Sequence, residues 1–169
     1  MIRKLAELML RYRISRRESA RERKFMSWER IDRIALVVNS RDRVARHAID
    51  SFISESRKFI EVFYVEVNRR APTYADWQCF LKKHTSFFNL PGKTVAHELE
   101  KQRFDIVINT SSDTDLFSRS VAGLLSAPFK CSTTVFREVD LVIERPDNYG
   151  LDAYLQEVVK YLKMINVGK

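Results

Sequence analysis

The sequence predicts an α/β domain, a three-layer Rossmann-like open and mainly parallel sheet with an added basic amino-terminal helix. Two apolar runs, RIALVVN at 33–39 and DIVIN at 105–109, lack the alternation of polar and apolar residues that a half-exposed strand shows. Such runs are typical of parallel strands that helices cover on both faces. Segments with apolar residues at helical spacing lie between the strand runs, and this alternation is typical of a layered α/β fold.

The chain is predicted to consist of a basic helical arm, residues 1–30, and a single α/β domain, residues 31–169. A length of 169 residues fits one domain. The arm carries ten Lys and Arg against four Glu, a net charge of +6, whereas the rest of the chain carries 20 against 18, or +2. The basic character therefore belongs to the arm, where an anionic partner is expected.

The arm is predicted to be a helix from residue 2 to about residue 26, because it contains no internal Pro or Gly. Its apolar stripe consists of Ile2, Leu5, Leu8, Met9 and Tyr12. Beyond this stripe we expect a charged helix that stands partly free. The cations expected to bind the partner are Arg11, Arg13, Arg16, Arg17, Arg21, Arg23 and Lys24.

The predicted partner of these cations is RNA or a ribonucleoprotein. Arg outnumbers Lys by eight to two in the arm, and guanidinium groups suit planar contact with phosphate. Three other interpretations stay open: a solvated helix with internal ion pairs, a protein partner with an acidic groove, and an anionic membrane surface. Membrane binding is expected to be weak, because the apolar stripe is short and contains neither Trp nor Phe.

Six strands are expected along the domain. They are placed near 33–39, 59–67, 85–88, 105–109, 130–135 and 141–144, and residues 76–82 are expected to form a helical turn or a further short strand. The second strand alternates more than the others and is expected nearer an edge, whereas 105–109 is expected at the centre of the sheet. Residues 68–92 contain four aromatic side chains that suggest either a base-stacking platform or, as the favoured interpretation, a core that covers a sheet edge. These are Trp77, Phe80, Phe87 and Phe88.

Helices are expected after the first strand, before and after the central strand, and at the end of the chain. Ser40 is placed as the N-cap of the first of them and Thr94 as the cap of the second, which ends at Lys101. The last helix opens at Asp147 and Asn148. Its predicted inward residues are Leu151, Tyr154, Leu155, Val158, Val159 and Leu162.

Familiar catalytic and cofactor motifs do not occur in the sequence. The four glycines form neither a dinucleotide-binding nor a P-loop pattern, and the two cysteines and three histidines lack the spacing of a zinc site. We therefore expect no cofactor and no metal, and a non-catalytic protein rather than an enzyme. The presence of only two cysteines, without a C-x-x-C spacing, and the lack of a long apolar segment favour a cytoplasmic location without a membrane span.

Two loops lie where an open parallel sheet binds ligands, beyond the carboxyl ends of the strands. Ser40 and Arg41 follow the first strand, and Ser111 and Ser112 follow the central strand, where helix amides could hold an anion. Two aspartates in the second loop would repel a phosphate, which favours a capping role there. Asp42 is the candidate for a general base, although an Asp in the first turn of a helix ordinarily stabilises the helix dipole.

The run FDIVINTSSDTDLFSRSVAGLLSAPFKCSTT, residues 104–134, resembles a stretch of heptosyltransferase-like glycosyltransferases. In that family a strand carrying aspartate is followed by a Ser-bearing helix, a small-residue turn and another short strand. The resemblance implies an acceptor-side domain with a catalytic Asp after the first strand, for which Asp42 is the nearest match. The Gly-Asp pair of that loop and the nucleotide-sugar domain are absent here, so the implied alternative function is a degenerate sugar-handling protein.

Over its whole length the chain resembles a family of small uncharacterised bacterial proteins with a domain of unknown function. The shared order is a basic amino-terminal helix, an I-x-L-V-V-N strand, an F-D-I-V-I-N strand and a final amphipathic helix. This resemblance implies a fold and a size, and it implies no activity.

Overall fold

A computed structural model describes residues 2–39, 46–68, 76–111, 115–146 and 149–165. The strands in this part of the chain are β1 Arg33–Val38, β2 Phe59–Asn68, β3 Gln78–Leu81, β4 Ile106–Asn109, β5 Phe129–Ser132 and β6 Leu141–Val142. The helices are α1 Ile2–Glu18, α2 Arg46–Ser56, α3 Lys93–Lys101, α4 Leu116–Leu124 and α5 Leu151–Met164. The strands form one parallel sheet in the order β3-β2-β1-β4-β5-β6, so the predicted α/β class is confirmed.

The centre of the sheet is formed by β1 and β4, which confirms the central position predicted for 105–109. Their backbones pair in parallel, with Ile34 opposite Ile106 and Leu36 opposite Ile108. Every residue of β4 is buried, and so is every residue of β1 after Arg33. Apolar runs without alternation form these two strands because helices cover both faces of the sheet.

Two helices cover each face of the sheet. Helices α2 and α5 contact each other on one face, and α3 and α4 contact each other on the other. Alternate residues of β1 divide between the two cores, with Leu36 and Val38 in the first and Ala35 and Val37 in the second. The inward residues predicted for α5 are confirmed as buried, apart from the partly buried Val159: Leu151, Tyr154, Leu155, Val158 and Leu162.

Helix α1 forms an additional layer outside α4. Its inward face consists of Ala6, Leu10 and Ile14, which are spaced four residues apart and are all buried. Gly123 of α4 lies beneath Ile14, and a Cβ atom added there would come within 2.5 Å of Ile14 Cδ1. The close approach of the two helices therefore depends on a glycine at this position of α4.

The apolar stripe predicted for α1 points away from the domain. Leu5, Leu8, Met9 and Tyr12 are all exposed, and Leu8 and Tyr12 are 63% and 64% exposed. Periodicity selected this stripe because it contains more large apolar residues than the inward one. The inward line contains a small alanine and continues to Glu18, which a hydrophobicity pattern counts as a solvent-facing residue.

The helix predicted for residues 2–26 ends at Glu18. The chain then runs beside the start of β5, where the Lys24 amide donates to the Pro128 carbonyl oxygen at 3.1 Å. It continues to the other face of the sheet, where Trp28 packs against the core of α2 and α5. These tertiary contacts override helix propensity, so the second half of the predicted helix is not free-standing.

The third strand lies at Gln78–Leu81, and the prediction of a strand at 85–88 is wrong. That stretch belongs to a turn, in which the Ser86 amide donates to the Leu90 carbonyl oxygen at 2.7 Å and Asn89 has a φ of 55°. Asn tolerates this left-handed conformation, which a regular strand does not contain. The two adjacent phenylalanines favoured a strand, whereas the polar residues around them determine a turn.

The aromatic residues of this region divide between the core and the surface. Trp77 and Phe80 are buried, as predicted for aromatics that cover a sheet edge. Phe88 is partly buried against α1. Phe87 is 86% exposed, so its assignment to the core is wrong, because it lies in the turn that replaces the predicted strand.

Helix starts differ slightly from the predicted ones. Helix α3 has Gly92 rather than Thr94 as its N-cap, and α5 has Gly150 as its N-cap. The predicted starts at Ser40, Asp147 and Asn148 lie outside the described residues. The strands predicted near 33–39, 59–67, 105–109, 130–135 and 141–144 are confirmed, with shorter bounds for the last two.

The orientation of α1 gives a direct test with two leucines on one helix. Leu10→Ala should lower the free energy of unfolding by about 2–5 kcal/mol, because it removes a buried side chain between α1 and α4. Leu8→Ala should change it by about 0.5 kcal/mol or less, because Leu8 is exposed. Urea denaturation measures both values, and the reverse ranking would mean that the predicted stripe faces the domain.

Candidate anion-binding surface

A cluster of buried charges fastens the end of α1 to β5 and to the loop that follows it. The Arg21 guanidinium binds the two carboxylate oxygens of Asp140 at 2.7 and 3.1 Å and Glu18 Oε2 at 2.8 Å. Lys130 of β5 has its Nζ 3.5 Å from Glu18 Oε1 and donates to the Gly123 carbonyl oxygen at 3.0 Å. None of the four charged side chains is more than 9% exposed. Solvent therefore screens these ion pairs only weakly.

A second buried pair holds the loop between β5 and β6. Arg119 of α4 binds Glu138 through two nitrogens, at 2.7 and 3.3 Å, and its guanidinium carbon lies 4.1 Å from the centre of the Phe136 ring. Arg21 also donates to the Glu138 carbonyl oxygen at 3.1 Å, which joins this pair to the first cluster. We call the joined set the buried ionic network, and its members are Glu18, Arg21, Arg119, Lys130, Glu138 and Asp140.

The charges of the buried ionic network balance, because it contains three carboxylates and three cations. Burial lowers the pKa of Lys130 from 10.5 to about 8, and the neighbouring Glu18 opposes this shift. Desolvation disfavours the ammonium form, which explains the direction. Removal of a single carboxylate would leave a buried cation without compensation, and such a change is costly. The network therefore holds α1 through mutually dependent contacts.

Four of the cations predicted to bind a partner form hydrogen bonds within the domain, and three of these four are only partly exposed. Arg13 donates to the Pro91 carbonyl oxygen at 3.3 Å, and Arg17 donates to the Leu124 carbonyl oxygen. Arg21 belongs to the buried ionic network. Their guanidinium groups are thereby engaged in fastening α1 to its neighbours.

The other predicted cations are exposed. Arg11 and Arg16 lie on α1, and Arg23 and Lys24 lie on the segment that follows it. Arg23 is the fourth cation that bonds within the domain: it donates to the Arg137 carbonyl oxygen at 2.8 Å and lies 3.4 Å from Glu18 Oε2, although its side chain is 47% exposed. Arg11 and Arg16 are therefore the members of the predicted set that the helix itself presents to solvent.

The solvent-facing side of α1 mixes cations with apolar side chains. Helical geometry places Lys4 and Arg11 beside one edge of an apolar stripe and Arg16 within the stripe, one turn after Tyr12. We call this set the outer face of α1, and its members are Lys4, Leu5, Leu8, Met9, Arg11, Tyr12 and Arg16. The two arginines belong to the set of cations predicted from the sequence, Lys4 does not, and the apolar members belong to the predicted narrow stripe.

Two loops flank the outer face of α1, and each carries an exposed apolar side chain. On one side, the turn with Phe87 packs against α1 through Phe88 and Leu90. On the other side, a groove of about 750 Å³ separates α1 from the loop with Val135, which is 80% exposed. The exposed Arg137 lines the same groove. These loop residues were not recognised in the sequence, because only the fold brings them beside α1.

Polar side chains beyond β4 bind one another. Asn109 Oδ1 accepts hydrogen bonds from the Ser111 amide at 3.1 Å and from the Ser118 hydroxyl at 3.0 Å. Ser111 is fully buried, and Asp115 caps α4 by accepting from the Ser118 amide at 3.0 Å. Burial raises the pKa of Asp115, and hydrogen bonds from Ser118 and Asn39 oppose the rise. The described part of this loop is thus engaged in capping and internal contacts.

The remaining residues of the predicted ligand loops lie outside the described residues. They are Ser40, Arg41, Asp42 and Ser112. Within the described ranges, no group of three His, Cys, Asp or Glu side chains could hold a metal ion. In the same part of the chain, no helix has both the length and the apolar character needed to cross a membrane.

A groove of about 810 Å³ lies between α2 and α5 on the opposite face of the sheet. Phe52 and Leu155 contribute to its lining, and its charged lining residues include Glu55, Asp152 and Lys160. Charges of both signs therefore meet there, so this groove lacks the one-sided charge of the outer face of α1.

Comparison with known proteins matches nearly the whole chain to one family. Residues 3–165 match DUF6913, a family of unknown function. No curated protein and no solved structure matches the chain. The resemblance to heptosyltransferase-like glycosyltransferases finds no support in these comparisons. The family match includes α1 as well as the sheet.

Two substitutions in the buried ionic network should have unequal effects. Asp140→Ala should lower the free energy of unfolding by about 3–5 kcal/mol, because Arg21 would remain buried without its bidentate partner. Lys130→Met should lower it less, because Glu18 keeps the Arg21 guanidinium at 2.8 Å as a cationic partner and methionine fills a similar volume without a desolvated charge. Urea denaturation measures both variants, and equal losses would contradict the unequal roles assigned to these residues.

Titration of Lys130 should give wild-type stability a characteristic pH dependence. Between pH about 8 and pH about 10.5, the unfolded chain holds a proton on Lys130 that the folded protein has released. The free energy of unfolding should therefore rise with pH relative to Lys130→Met, by at most about 1.4 kcal/mol per pH unit. Parallel urea titrations across this range test the expectation, and a constant difference between the two proteins would refute it.

Proposed function

The chain belongs to the family of unknown function DUF6913, which supplies no activity to transfer, and we propose a function from its surface. The protein is a non-catalytic α/β protein that binds an anionic partner through the outer face of α1. An anionic partner is also what the basic composition of residues 1–30 predicts. The cations that we propose to bind this partner are those that α1 and its neighbouring loop present to solvent.

The surplus of exposed cations on α1 supports this proposal most strongly. Among the residues that the structure describes, no carboxylate lies within ion-pair distance of Lys4, Arg11 or Arg16. Arg137 adds a further exposed cation across the groove. Exposed charges contribute little to the stability of a fold. Their concentration on one helix face raises the local positive potential and favours association with anions.

RNA, free or within a ribonucleoprotein, is the candidate partner that the cations taken alone favour. Guanidinium groups such as those of Arg11 and Arg16 bind phosphate with two parallel hydrogen bonds. Tyr12, which is 64% exposed on the same face, could stack on an unpaired base. A single-stranded RNA of no particular sequence is therefore the appropriate first probe.

The affinity for such an RNA should fall with increasing salt concentration, and Arg11 and Arg16 should contribute to the steepness of this fall. In fluorescence anisotropy, the logarithm of affinity should fall linearly with the logarithm of salt concentration, by about 0.7 per phosphate contact. The double variant Arg11→Gln with Arg16→Gln should bind more weakly, and its slope should be smaller by about 1.4 because two contacts are lost.

The matched control is the double variant Arg30→Gln with Lys163→Gln. Both residues are exposed, and neither belongs to the outer face of α1. The control removes the same net charge, so its slope and affinity should stay close to those of the wild type. Identical slopes in the two double variants would exclude the outer face of α1 from RNA binding.

An anionic membrane surface is the second candidate, and the exposed apolar stripe favours it. Leu5, Leu8 and Met9 are 47%, 63% and 38% exposed among the cations of the outer face. Contact with phosphates alone leaves these aliphatic side chains without a role. An amphipathic helix that lies in a lipid headgroup region uses both kinds of side chain.

A further inference from the structure

We propose that the outer face of α1 and its two flanking loops dock together on an anionic lipid bilayer. The inference rests on the proposed function, because it names the partner of the same face. Of the twelve large apolar side chains exposed in the described part of the chain, six lie on α1 or in the loops beside it. They are Leu5, Leu8, Met9, Tyr12, Phe87 and Val135.

The position of the two loops extends the apolar surface on both sides of α1. The turn with Phe87 lies on the side where Arg13 donates to the Pro91 carbonyl oxygen at 3.3 Å. The loop with Val135 lies across the groove that Arg11 lines. Since both loops border the helix whose opposite side is buried, a surface that contacts the stripe of α1 can also reach the two loop residues.

The aliphatic side chains distinguish a bilayer from RNA as the partner. RNA binds chiefly through its phosphates and through bases that stack on aromatic side chains, so it makes little use of aliphatic residues such as Leu8 and Val135. In a membrane interface these side chains enter the boundary of the acyl chains, while Lys and Arg extend to the lipid phosphates. The mixture of side chains on this surface therefore fits anionic lipid better than nucleic acid.

The projection of two loop side chains from the surface favours a bilayer over a protein as the partner. Phe87 and Val135 are 86% and 80% exposed, so both side chains project from their loops into solvent. A protein would need two separate pockets at matching positions, because apolar anchors contribute affinity when pockets enclose them. A fluid bilayer accepts projecting side chains at any spacing.

The fold also presents this surface in a fixed arrangement. The buried ionic network and the inward face of α1 hold the helix against α4 before any partner binds. The Arg119–Glu138 pair fixes the loop that carries Val135. Docking therefore avoids the free-energy cost of folding a helix, which a disordered basic segment would have to meet.

Flotation of the full chain with lipid vesicles tests the proposal. We expect the protein to float with vesicles of phosphatidylcholine and phosphatidylserine, and not with phosphatidylcholine alone. The double variant Phe87→Ser with Val135→Ser should partition on the order of tenfold more weakly, because it loses two apolar contacts with the lipid. Arg11→Gln and Arg16→Gln should each weaken partitioning about fivefold.

The matched apolar control is Tyr161→Ser with Met164→Ser. These side chains are 43% and 66% exposed on α5, which covers the opposite face of the sheet. The control should float as the wild type does, and circular dichroism establishes that each variant is folded. Equal losses in the Phe87/Val135 variant and in this control would overturn the assignment of the docking surface.

The remaining outcomes separate the lipid proposal from the proposed function. RNA binding that depends on Arg11 and Arg16, without flotation on either vesicle, would overturn the lipid proposal and leave the proposed function standing. Flotation that depends on the arginines and not on Phe87 and Val135 would overturn the insertion of the loops. Binding to neither RNA nor anionic vesicles would overturn both proposals.

Discussion

The buried ionic network determines which side of α1 faces the domain. Arg21 pairs with both Glu18 and Asp140, and this contact is possible only when the inward line of α1 ends at Glu18. Burial of Leu10 and Ile14 contributes about 1.5–3 kcal/mol each, whereas breaking one buried ion pair costs about 3–5 kcal/mol. The charged contacts therefore disfavour other orientations of the helix, because an alternative that broke them would leave a buried charge unpaired.

The two forces do not favour the same orientation of α1. A hydrophobic effect acting alone would turn the stripe with Leu5, Leu8 and Tyr12 towards α4, because that stripe holds more large apolar residues. The structure buries the smaller line instead, and Gly123 leaves room for it. Buried ion pairs often add little net stability but can specify one arrangement among several. Here the network fixes an orientation that leaves an apolar and basic surface exposed.

The cations of the arm serve two purposes that composition does not separate. Arg17 and Arg21 are four residues apart and lie on the inward side of the chain, where they bond to the domain. Arg11 and Arg16 lie on the outer side. A count of arginines predicts an anionic partner for all of them, whereas helical position decides which ones a partner can reach. The family match to residues 3–165 is consistent with an arm that is built into the domain.

The elements that sequence reasoning predicted well are those whose pattern has one physical cause. β1 and β4 read as continuous apolar runs because helices cover both of their faces, and α5 shows a regular stripe because it packs on a single core. The prediction of the third strand was wrong because the strand propensity of Phe87 and Phe88 was given more weight than the turn residues beside them. Ser86 and Asn89 form a turn in this stretch. Local propensity is overridden where tertiary contacts or turn residues compete with it.

The candidate surface was less predictable than the fold, because it depends on which side of α1 faces the domain. Its orientation depends on pairs that are distant in sequence, such as Arg21 with Asp140. One signal was present: Lys130 interrupts an otherwise apolar and small-residue strand, which implies a buried charge and hence a carboxylate partner from elsewhere. The identity of that partner, Glu18, could not be read from a pattern. Consequently the exposed positions of Phe87 and Val135 beside α1 also required the three-dimensional structure.

The polar residues at the strand ends give a physical reason to look for function on α1. In open parallel sheets, ligands usually bind beyond the carboxyl ends of the strands where the strand order reverses, which is between β1 and β4 here. Of the side chains described at that place, Asn109, Ser111 and Ser118 bond to one another. A ligand would have to break these buried hydrogen bonds, and each broken bond would leave an unsatisfied group. The exposed cations on α1 have no buried hydrogen bonds to lose. Binding of an anion to the outer face of α1 therefore costs less free energy than binding at these buried side chains.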